Sequence, residues 1–327
     1  MSSSKRVGVR YDRALPPQGL VEFARTVEAA GADELWVVED LGYAGSISAA
    51  TAALAGTSRI VVGIGVAPAP LRNPALLAME LAATASMFPQ RLIAGLGHGV
   101  TEWMAQVGAT PSSPLALLEE AVTAVRALLR GAPVTLHGRE IHLDDVKLVH
   151  PPEHVPDVVT GVVRPRSLEL SGRVADGTVL AEGNGPAGIE AALARIAAGR
   201  KAATGPVGPH RLIVFTHLLA DGHGAGRAAL DDLLAGQAAW LGSKPEQMFS
   251  ASGPQGTAAE AAARVRELWA AGADSVVLRP FGQDPVGQVT ATLAELREDK
   301  HGQRLPVPSA VVEELTAPGE ARGRSGG

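Results

Sequence analysis

The chain has 327 residues, enough for one large domain or two ordinary ones. Hydrophobic residues make up 46% of it and charged residues 19%, which predicts a globular protein with a substantial core. The formal net charge of −5 gives no electrostatic support to a role on nucleic acid or on an anionic membrane. The absence of cysteine excludes disulfides, thiolate metal sites and cysteine nucleophiles.

The sequence shows no targeting or membrane signal. The amino-terminal segment MSSSKRVGVRYD lacks the apolar core of a signal peptide. No apolar run approaches the roughly 20 residues that a membrane helix needs. We therefore expect a soluble protein of the cytoplasm.

Short apolar runs alternate with amphipathic segments, which predicts alternating strands and helices. The predicted strands cover residues 7–10, 35–38, 60–64, 92–94, 158–161, 177–180, 212–219 and 275–278. The predicted helices cover residues 17–30, 46–55, 74–87, 114–129, 167–174, 188–203, 225–240, 245–249 and 258–271, the last of these being the final long helix. A small hairpin over residues 133–143, turning at Gly138, follows the fourth helix.

Eight short strands that alternate with helices favour a (β/α)8 TIM barrel of the α/β class. We expect one domain over residues 1–318, with the hairpin as an insertion, followed by a flexible glycine- and charge-rich tail at residues 319–327. A doubly wound open sheet is the alternative, because strand order cannot be read from the sequence.

In such a barrel, functional side chains belong to the carboxyl ends of the strands. Glu39 and Asp40 directly follow the second predicted strand, so both are candidates for a functional role. The alternative is structural: one of the two carboxylates caps the next helix or pairs with an arginine such as Arg72.

Glycines surround the ends of the third and fourth strands. Gly65 and Val66 end the third strand, which is typical of a bulge or of a close approach between backbone and ligand. His98 lies between glycines after the fourth strand, where it can exchange protons near neutral pH beside a flat ligand. A plain loop at the first position and a structural histidine at the second are the alternatives.

Polar residues also follow the fifth strand. Arg164, Arg166 and Ser167 enter a helix there, a pattern typical of an anion site at a helix N-terminus. An ordinary capped helix with solvated arginines is the alternative. Asn184, after the sixth strand, is expected to extend the same pocket.

We assign Glu182, Asn184 and Arg279, at the ends of the sixth and eighth strands, to the substrate. Arg279 suits an anionic group or a phosphate, or else it closes the barrel in a salt bridge. No metal site is expected, because His137 and His142 lack a carboxylate partner pattern and no HExxH motif occurs. The usual dinucleotide fingerprint, GxGxxG after the first strand, is absent.

Six segments carry a resemblance to a known family: LWVVED, TSRIVVGIGV, RNPALLAMELAATASM, QRLIAGLGHGVTEWMAQVG, LEEAVTAVRALLRG and SLELSGRVADGTVL. They occur in that family's order and reach along the chain to about Gly282. The chain resembles the luciferase-like monooxygenase superfamily, and within it the coenzyme F-420-dependent branch. The resemblance implies a barrel that holds a flat flavin or deazaflavin ring at the carboxyl ends of its strands.

The resemblance also implies roles for individual residues. A non-prolyl cis peptide behind the ring maps to Gly65 and Val66, and the acid that contacts the ring maps to Glu39 or Asp40. The proton-handling candidates are His98, Asp40 and Glu102. The other residues assigned to the cofactor are His98, Gly99 and Val100 in the fourth-strand loop, and Gly161, Val162, Val163, Arg164 and Ser167 beside its phosphate-bearing tail.

This chain departs from the sugar-phosphate dehydrogenases of that branch at three positions. Asp40 stands where they carry a histidine, Val100 where they carry a glutamate, although Glu102 is close, and Asn184 where they carry a lysine. Oxidation of a sugar phosphate by the same machinery is therefore not expected.

The resemblance implies an oxidoreductase that passes a hydride between coenzyme F-420 and a small organic substrate, with reduction of an activated C=C or C=N bond as the expected direction. A reduced-FMN-dependent monooxygenase on the same barrel and a non-catalytic cofactor-binding barrel are the alternatives. A homodimer is expected because it is common in the family. Residues 41–46, 100–110 and 281–285 are expected to be loops that decide the substrate.

Overall fold

The computed structural model of the protein describes residues 5–205, 208–220, 227–241, 256–282 and 284–301. The strands are β1 (Arg6–Arg10), β2 (Glu34–Val37), β3 (Val61–Ile64), β4 (Ala67–Pro68), β5 (Leu92–Gly97), β6 (Val134–His137), β7 (His142–Val146), β8 (Asp157–Gly161), β9 (Gly177–Leu180), β10 (Arg211–Leu218) and β11 (Ser275–Pro280). The helices are α1 (Leu20–Ala30), α2 (Ser46–Gly56), α3 (Pro74–Met87), α4 (Thr101–Gln106), α5 (Pro114–Leu129), α6 (Pro165–Val174), α7 (Pro186–Lys201), α8 (Arg227–Leu241), α9 (Ala258–Ala270) and α10 (Pro285–His301). The helix predicted at 245–249 and the tail predicted at 319–327 lie outside the described residues.

Eight parallel strands form a closed barrel. β1 pairs with β2 and with β11, and the parallel pairs continue from β11 through β10, β9 and β8 to β5. The ring closes where β3 pairs with both β2 and β5. The predicted (β/α)8 barrel is therefore confirmed, and the doubly wound alternative is wrong because an open sheet would not pair its first strand with its last.

Several helices begin at residues suited to capping. Asn73 accepts a hydrogen bond from Ala75 N at 2.9 Å before α3, and Pro74 takes the first helical position, where no N–H is needed. Thr257 and Glu260 form a reciprocal capping box at the start of α9. Within the described ranges, no helix is both long enough and apolar enough to cross a membrane.

Two helices differ from the prediction. α4 forms inside the segment predicted as a loop at residues 100–110, and its N-cap residue Val100 has no side chain that could signal a helix start. α10 follows α9, so the helix predicted at 258–271 is not the last long one. Gln288 and Thr292 are buried in α10 beside Leu293, and these polar residues interrupt the apolar stripe that identifies a helix in sequence.

The predicted hairpin forms from β6 and β7 after α5. Gly138 N donates to Ile141 O at 2.9 Å across the turn. The Glu120 carboxylate of α5 accepts hydrogen bonds from three consecutive backbone N–H groups, those of Arg139, Glu140 and Ile141, at 2.8, 3.0 and 2.8 Å. One side chain therefore fixes the insertion to the helix layer.

A small apolar cluster fills the lumen of the barrel. Trp36 and Phe215 pack edge to face with ring centroids 5.4 Å apart. Gly63 makes room for the indole, because a Cβ at that position would overlap it. At the amino-terminal end, the buried Glu34 carboxylate accepts hydrogen bonds from Trp36 Nε1 at 2.9 Å and from Arg211 at 2.7 Å. These contacts close that end, and we call the ring of residues at the opposite, carboxyl ends of the eight strands the mouth.

The third strand of the barrel carries one extra residue. Gly63 pairs with Ile93 and Ala67 pairs with Leu96, so four steps along this strand match three along β5. The extra residue falls at Gly65–Val66, whose peptide bond is cis, at the position that the resemblance implied. β3 and β4 are therefore one strand interrupted by a bulge.

Candidate active site

Glycines line one half of the mouth. Gly95 and Gly97 of β5 and Gly161 of β8 face the side chain of Val66, and a Cβ at Gly161 would lie 2.8 Å from Val66 Cγ1. Any larger residue at these three positions would displace the valine. The result is a wall of backbone and one small side chain, against which a flat ring can lie in close contact. We call this wall the glycine half of the mouth.

His98 and Ser167 meet beside this wall. His98 Nε2 lies 3.0 Å from Ser167 Oγ, so the loop after β5 touches the first turn of α6. Burial lowers the pKa of His98 below its usual value, and a backbone group of Pro114 offsets only part of this effect. His98 Nδ1 is buried and makes no hydrogen bond of normal geometry within the described chain. The imidazole is therefore neutral at pH 7, and its Nδ1 has no hydrogen bond of normal geometry.

The Glu39 carboxylate takes the structural role that the sequence left open. It accepts hydrogen bonds from Ser46 N, at 3.1 Å, and from Ser46 Oγ at the start of α2, and it forms an ion pair with Arg72. Both structural alternatives, the helix cap and the arginine partner, occur together. Any contact between Glu39 and a cofactor would come from a carboxylate that already has three donors.

Asp40 forms an ion pair with Arg13, which lies in the loop after β1. The Arg13 guanidinium also lies over two aromatic rings, 5.0 Å from the centroid of Tyr43 and 5.8 Å from that of Trp103. Arg13 therefore connects the loops after β1 and β2 with α4 at the rim of the mouth. Asp40 is a paired carboxylate in this cluster.

Charged side chains occupy the other half of the mouth. Arg10, at the end of β1, donates to Glu182 after β9. Arg279 of β11 donates from Nε to Asp12 Oδ2 at 3.0 Å, its Nη2 lies 3.0 Å from the same oxygen in an ion pair, and its Nη1 lies 3.8 Å from Glu182 Oε1. Two arginines and two carboxylates thus form one network of balanced charge, which we call the ionic half of the mouth.

The carboxylate of Glu182 stays ionised in this network. Burial by itself would raise the pKa of Glu182, but Arg10, His217 and Arg279 lower it to about 2. The sequence left two roles open for Arg279, a clamp for an anion or a salt bridge that closes the barrel. The salt bridge is the role observed, because Arg279 is already bound to Asp12.

His217 projects from β10 into the ionic half. It lies opposite Arg279 in the strand register, and it is fully buried, at 0% exposed. Neither ring nitrogen has a hydrogen-bond partner among the described residues. Burial lowers the pKa of His217 to about 4, since the opposing effect of Glu182 is itself countered by Arg279 and Arg10. The side chain is therefore uncharged near neutral pH.

The other residues predicted in the loops after β5 and β9 lie at the rim. Gly99 has a φ of 72°, and Val100 is the N-cap residue of α4. Glu102 is exposed in the first turn of α4. Asn184 uses its side-chain amide to donate to Ala181 O at 2.8 Å, which closes its own turn.

The segment from β8 into α6 contains the residues of the predicted anion site. Val162 is buried and Val163 half-buried, whereas Arg164, the N-cap residue, and Arg166, in the first turn, are exposed. The first turn of α6 contains no acidic residue. Two exposed arginines at a helix N-terminus suit the anionic tail of a ligand.

Two residues of the ionic half, Arg10 and Asp12, were not predicted, and the sequence placed His217 at a strand end without giving it a role. Each lies at or just after the carboxyl end of a barrel strand, which is the same signal that selected Asp40. That signal does not say which strand ends are neighbours. Only the closure of the barrel brings β1 beside β11, and thus Arg10 beside the last strands.

No group of three or more metal-ligating side chains that could hold a metal ion occurs in the part of the chain that the structure describes. His137 and His142 of the hairpin lie with their Nδ1 atoms 3.1 Å apart, both exposed.

A family model described as luciferase-like monooxygenase matches residues 1–304, and the chain belongs to that family. Among curated proteins it is similar to the 5,10-methylenetetrahydromethanopterin reductase of Methanolobus tindarius, 30% identical over 196 residues, which are 60% of each chain. It is also similar to the F-420-dependent glucose-6-phosphate dehydrogenase of Microbacterium testaceum, 28% identical over 182 residues, 52% of this chain and 54% of that protein. The chain thus matches less than two thirds of the length of these relatives.

A solved structure shares the fold over nearly the whole chain. It is an F-420-dependent secondary alcohol dehydrogenase in complex with an F-420–acetone adduct, with a TM-score of 0.79 at 18% identity. The superposition covers 89% of this chain and 97% of that one. At this identity the likeness shows the barrel fold alone.

Proposed function

We propose that this protein is a coenzyme F-420-dependent oxidoreductase that transfers a hydride between the deazaflavin ring and a small organic substrate. The observation that carries the proposal is the glycine half of the mouth, where a bulged strand, three glycines and one valine form a wall suited to a flat ring. The names of the relatives point to the same cofactor. When bound, the deazaflavin supplies the hydride chemistry, and the protein supplies binding, orientation and the proton.

Different residues around the glycine half would contact different parts of the cofactor. Val66 would support the ring from behind, and Gly99 and Val100 would border it. The phosphate-bearing tail would extend along residues 161–163 toward Arg164 at the exposed start of α6. Ser167 would fix His98 at the side of the ring through the 3.0 Å contact between Oγ and Nε2.

We assign the proton to His98 in preference to Asp40 and Glu102. His98 has a buried Nδ1 without a hydrogen bond of normal geometry, whereas Asp40 is bound to Arg13 and Glu102 is exposed. A positioned general acid or base contributes ~10²–10⁴-fold to a rate. We therefore expect His98→Gln to lower kcat by that order while F-420 still binds.

Reduction of an activated C=C or C=N bond is the direction that we propose.

Titration of the purified protein with F-420, FMN and NADPH tests the cofactor. We expect saturable binding of F-420, seen as a change in its fluorescence and as a rise in Tm with ligand concentration. Replacing Arg164 and Arg166 by Ala should weaken F-420 binding by ~3–10-fold, less at high salt. Arg195→Ala, which removes an exposed arginine paired with Glu169 on another helix, is the matched control. Saturable binding of FMN without any binding of F-420 would refute the proposal.

A reduced-FMN-dependent monooxygenase is the second candidate, because the family model that matches the chain has that description. It predicts consumption of O₂ with reduced FMN, which F-420 cannot replace. A barrel that only binds the cofactor is the third possibility, and it predicts that neither His98→Gln nor Asp40→Asn changes any turnover. A cytoplasmic location stays a prediction of the sequence.

We also propose that the protein forms a homodimer through α2 and α3. The two helices contain one charged residue between them, Glu80, and they are joined by a 3.1 Å contact between the hydroxyls of Thr51 and Thr84. Leu76 and Met79 are exposed on α3, at 58% and 55%. A helix that is apolar all round is normally buried, so this face suits a second copy of the same face.

Sedimentation velocity of the protein at micromolar concentration tests the dimer. We expect a dimer for the native chain and a monomer for Leu76→Glu combined with Met79→Glu. The two glutamates would bury unpaired negative charges in an apolar interface, which is strongly unfavourable. Val149→Glu, at an exposed loop position outside both helices, should leave the dimer intact. A native chain that sediments as a monomer contradicts the proposal.

A further inference from the structure

His217 lies just beneath the mouth, in the layer directly above the apolar cluster of the lumen. It alternates with Ile213 and Phe215, two members of the apolar cluster in the lumen, so its side chain also faces the lumen. It lies one layer closer to the mouth than Phe215, at the level of Arg279 in the strand register. Its ring centroid is 5.4 Å from that of Phe281, just beyond β11.

His217 is a buried polar side chain that the fold leaves without a partner. Neither of its ring nitrogens forms a hydrogen bond within the described ranges, and no part of the side chain reaches the surface. Leaving a buried polar group unpaired is costly, so such groups are rare unless they serve a function.

His210, at the opposite end of β10, shows how the fold pairs a buried histidine that is only structural. His210 Nδ1 lies 3.2 Å from Ala175 O, and its Nε2 lies 2.8 Å from Thr178 Oγ1. A carbonyl oxygen only accepts, so Nδ1 carries the proton and Nε2 accepts from the threonine. Both nitrogens are thus satisfied within the protein, in contrast to those of His217.

The charges around His217 cancel one another. Arg10 is bound to Glu182 and Arg279 to Asp12, which leaves no surplus positive charge for a phosphate or carboxylate. An uncharged imidazole adds one donor and one acceptor to this balanced network. This pattern matches a hydroxyl, carbonyl or imine group, which carries the complementary donor or acceptor without net charge.

We propose that His217 binds the substrate by a hydrogen bond to an uncharged oxygen or nitrogen, and that the ionic half of the mouth rejects substrates whose group at this position is anionic. This inference rests on the proposed function, because it treats the glycine half as the cofactor's place and the ionic half as the substrate's. It makes His217 a specificity-determining residue. It also predicts that this protein accepts a substrate with a neutral carbonyl or imine and refuses a sugar phosphate.

Kinetics with defined probes test the first part of the proposal. The probes are 2-propanol and glucose 6-phosphate with oxidised F-420, and 2-cyclohexen-1-one with reduced F-420. We expect turnover of at least one uncharged probe and none of glucose 6-phosphate. His217→Leu should lower kcat/KM for that probe by ~10–100-fold and leave the affinity for F-420 within about twofold. His217→Asn or His217→Gln should restore part of the loss, because each amide offers a donor and an acceptor.

Thermal unfolding without ligands tests the second part and does not depend on activity. His217→Leu should raise Tm by about 2–5 °C, because it removes an unpaired buried polar group and fills the same space. His210→Leu, the matched control, should lower Tm because it breaks two hydrogen bonds. A merely structural role for His217 predicts a fall in Tm for both variants.

The outcomes separate the two levels of the proposal. Failure of the native protein to bind F-420 overturns the proposed function, while a rise in Tm for His217→Leu would still support an unpaired ligand-binding histidine. A fall in Tm for that variant, an unchanged kcat/KM with the uncharged probe, or faster turnover of glucose 6-phosphate overturns the inference itself. If no probe is turned over, the two Tm values decide.

Discussion

Lowering the pH from 7 to 4.5 should weaken the fold of this protein through His217. The folded state keeps this side chain neutral until about pH 4, because it is buried and faces Arg10 and Arg279 as well as Glu182. In the unfolded chain a histidine takes up a proton near pH 6.5. Between these two values the unfolded state binds more protons, so the free energy of unfolding falls as the pH falls.

The size of this loss follows from the difference between the two pKa values. A lowering from 6.5 to about 4 corresponds to a loss of about 2 kcal/mol by pH 4.5. Glu182 acts in the same direction but mainly below pH 4.5, because its pKa of about 2 matters only once the unfolded carboxylates are protonated. The pH window therefore isolates the histidine contribution from that of the ionic network.

Urea unfolding of the native chain and of His217→Leu at pH 7 and at pH 4.5 measures this contribution. The variant should lose about 2 kcal/mol less than the native chain between the two pH values. His210 and His98 remain in both proteins, and their lowered pKa values add the same loss to each. Equal losses in the two proteins would show that His217 is not buried as a neutral imidazole, and would refute the reasoning.

Three further changes have expected effects on stability, measured by urea unfolding. Gly95→Ala should cost ~3 kcal/mol or more, because its Cβ would overlap the backbone oxygen of Ile64, whereas Gly236→Ala, with open space around it, should gain ~0.5–1 kcal/mol. Asn73→Ala should cost ~1 kcal/mol through loss of the cap of α3, and Asn73→Asp should not. Glu120→Gln should cost ~1–2 kcal/mol and speed hydrogen exchange at the turn of the hairpin alone. An unchanged stability of Gly95→Ala, Asn73→Ala or Glu120→Gln contradicts the corresponding contact.

The glycine half of the mouth was predictable because its signals are local. Gly65, Val66 and His98 each stand at the end of a short apolar run, and that position alone indicates the carboxyl rim of a barrel strand. The ionic half depends on which strands are neighbours. Arg10 and Arg279 are far apart in the chain and become partners of one network only when the barrel closes.

Glu39 shows a second limit of sequence reasoning. A carboxylate at a strand end is equally suited to a ligand, to a helix start and to an arginine, because the three roles use the same oxygen atoms. Which role it takes depends on the position of Arg72 and of the first turn of α2, and both are set by tertiary structure. Tertiary structure also explains why α10 was not predicted from the sequence. Its residues Gln288 and Thr292 are polar, yet they are buried in the fold.

The extra residue between β3 and β4 makes the length of this strand as important as its composition. In a strand, successive side chains alternate between the two faces, so one added residue reverses the facing of everything beyond it. Ala67, which is buried in the main core, follows that reversal, while Val66 stands against the glycines of the mouth. Removing a single residue here would exchange core-facing and mouth-facing positions throughout the segment. We therefore expect a library of variants to accept different side chains at residue 66 far more readily than any deletion or insertion at residues 64–67.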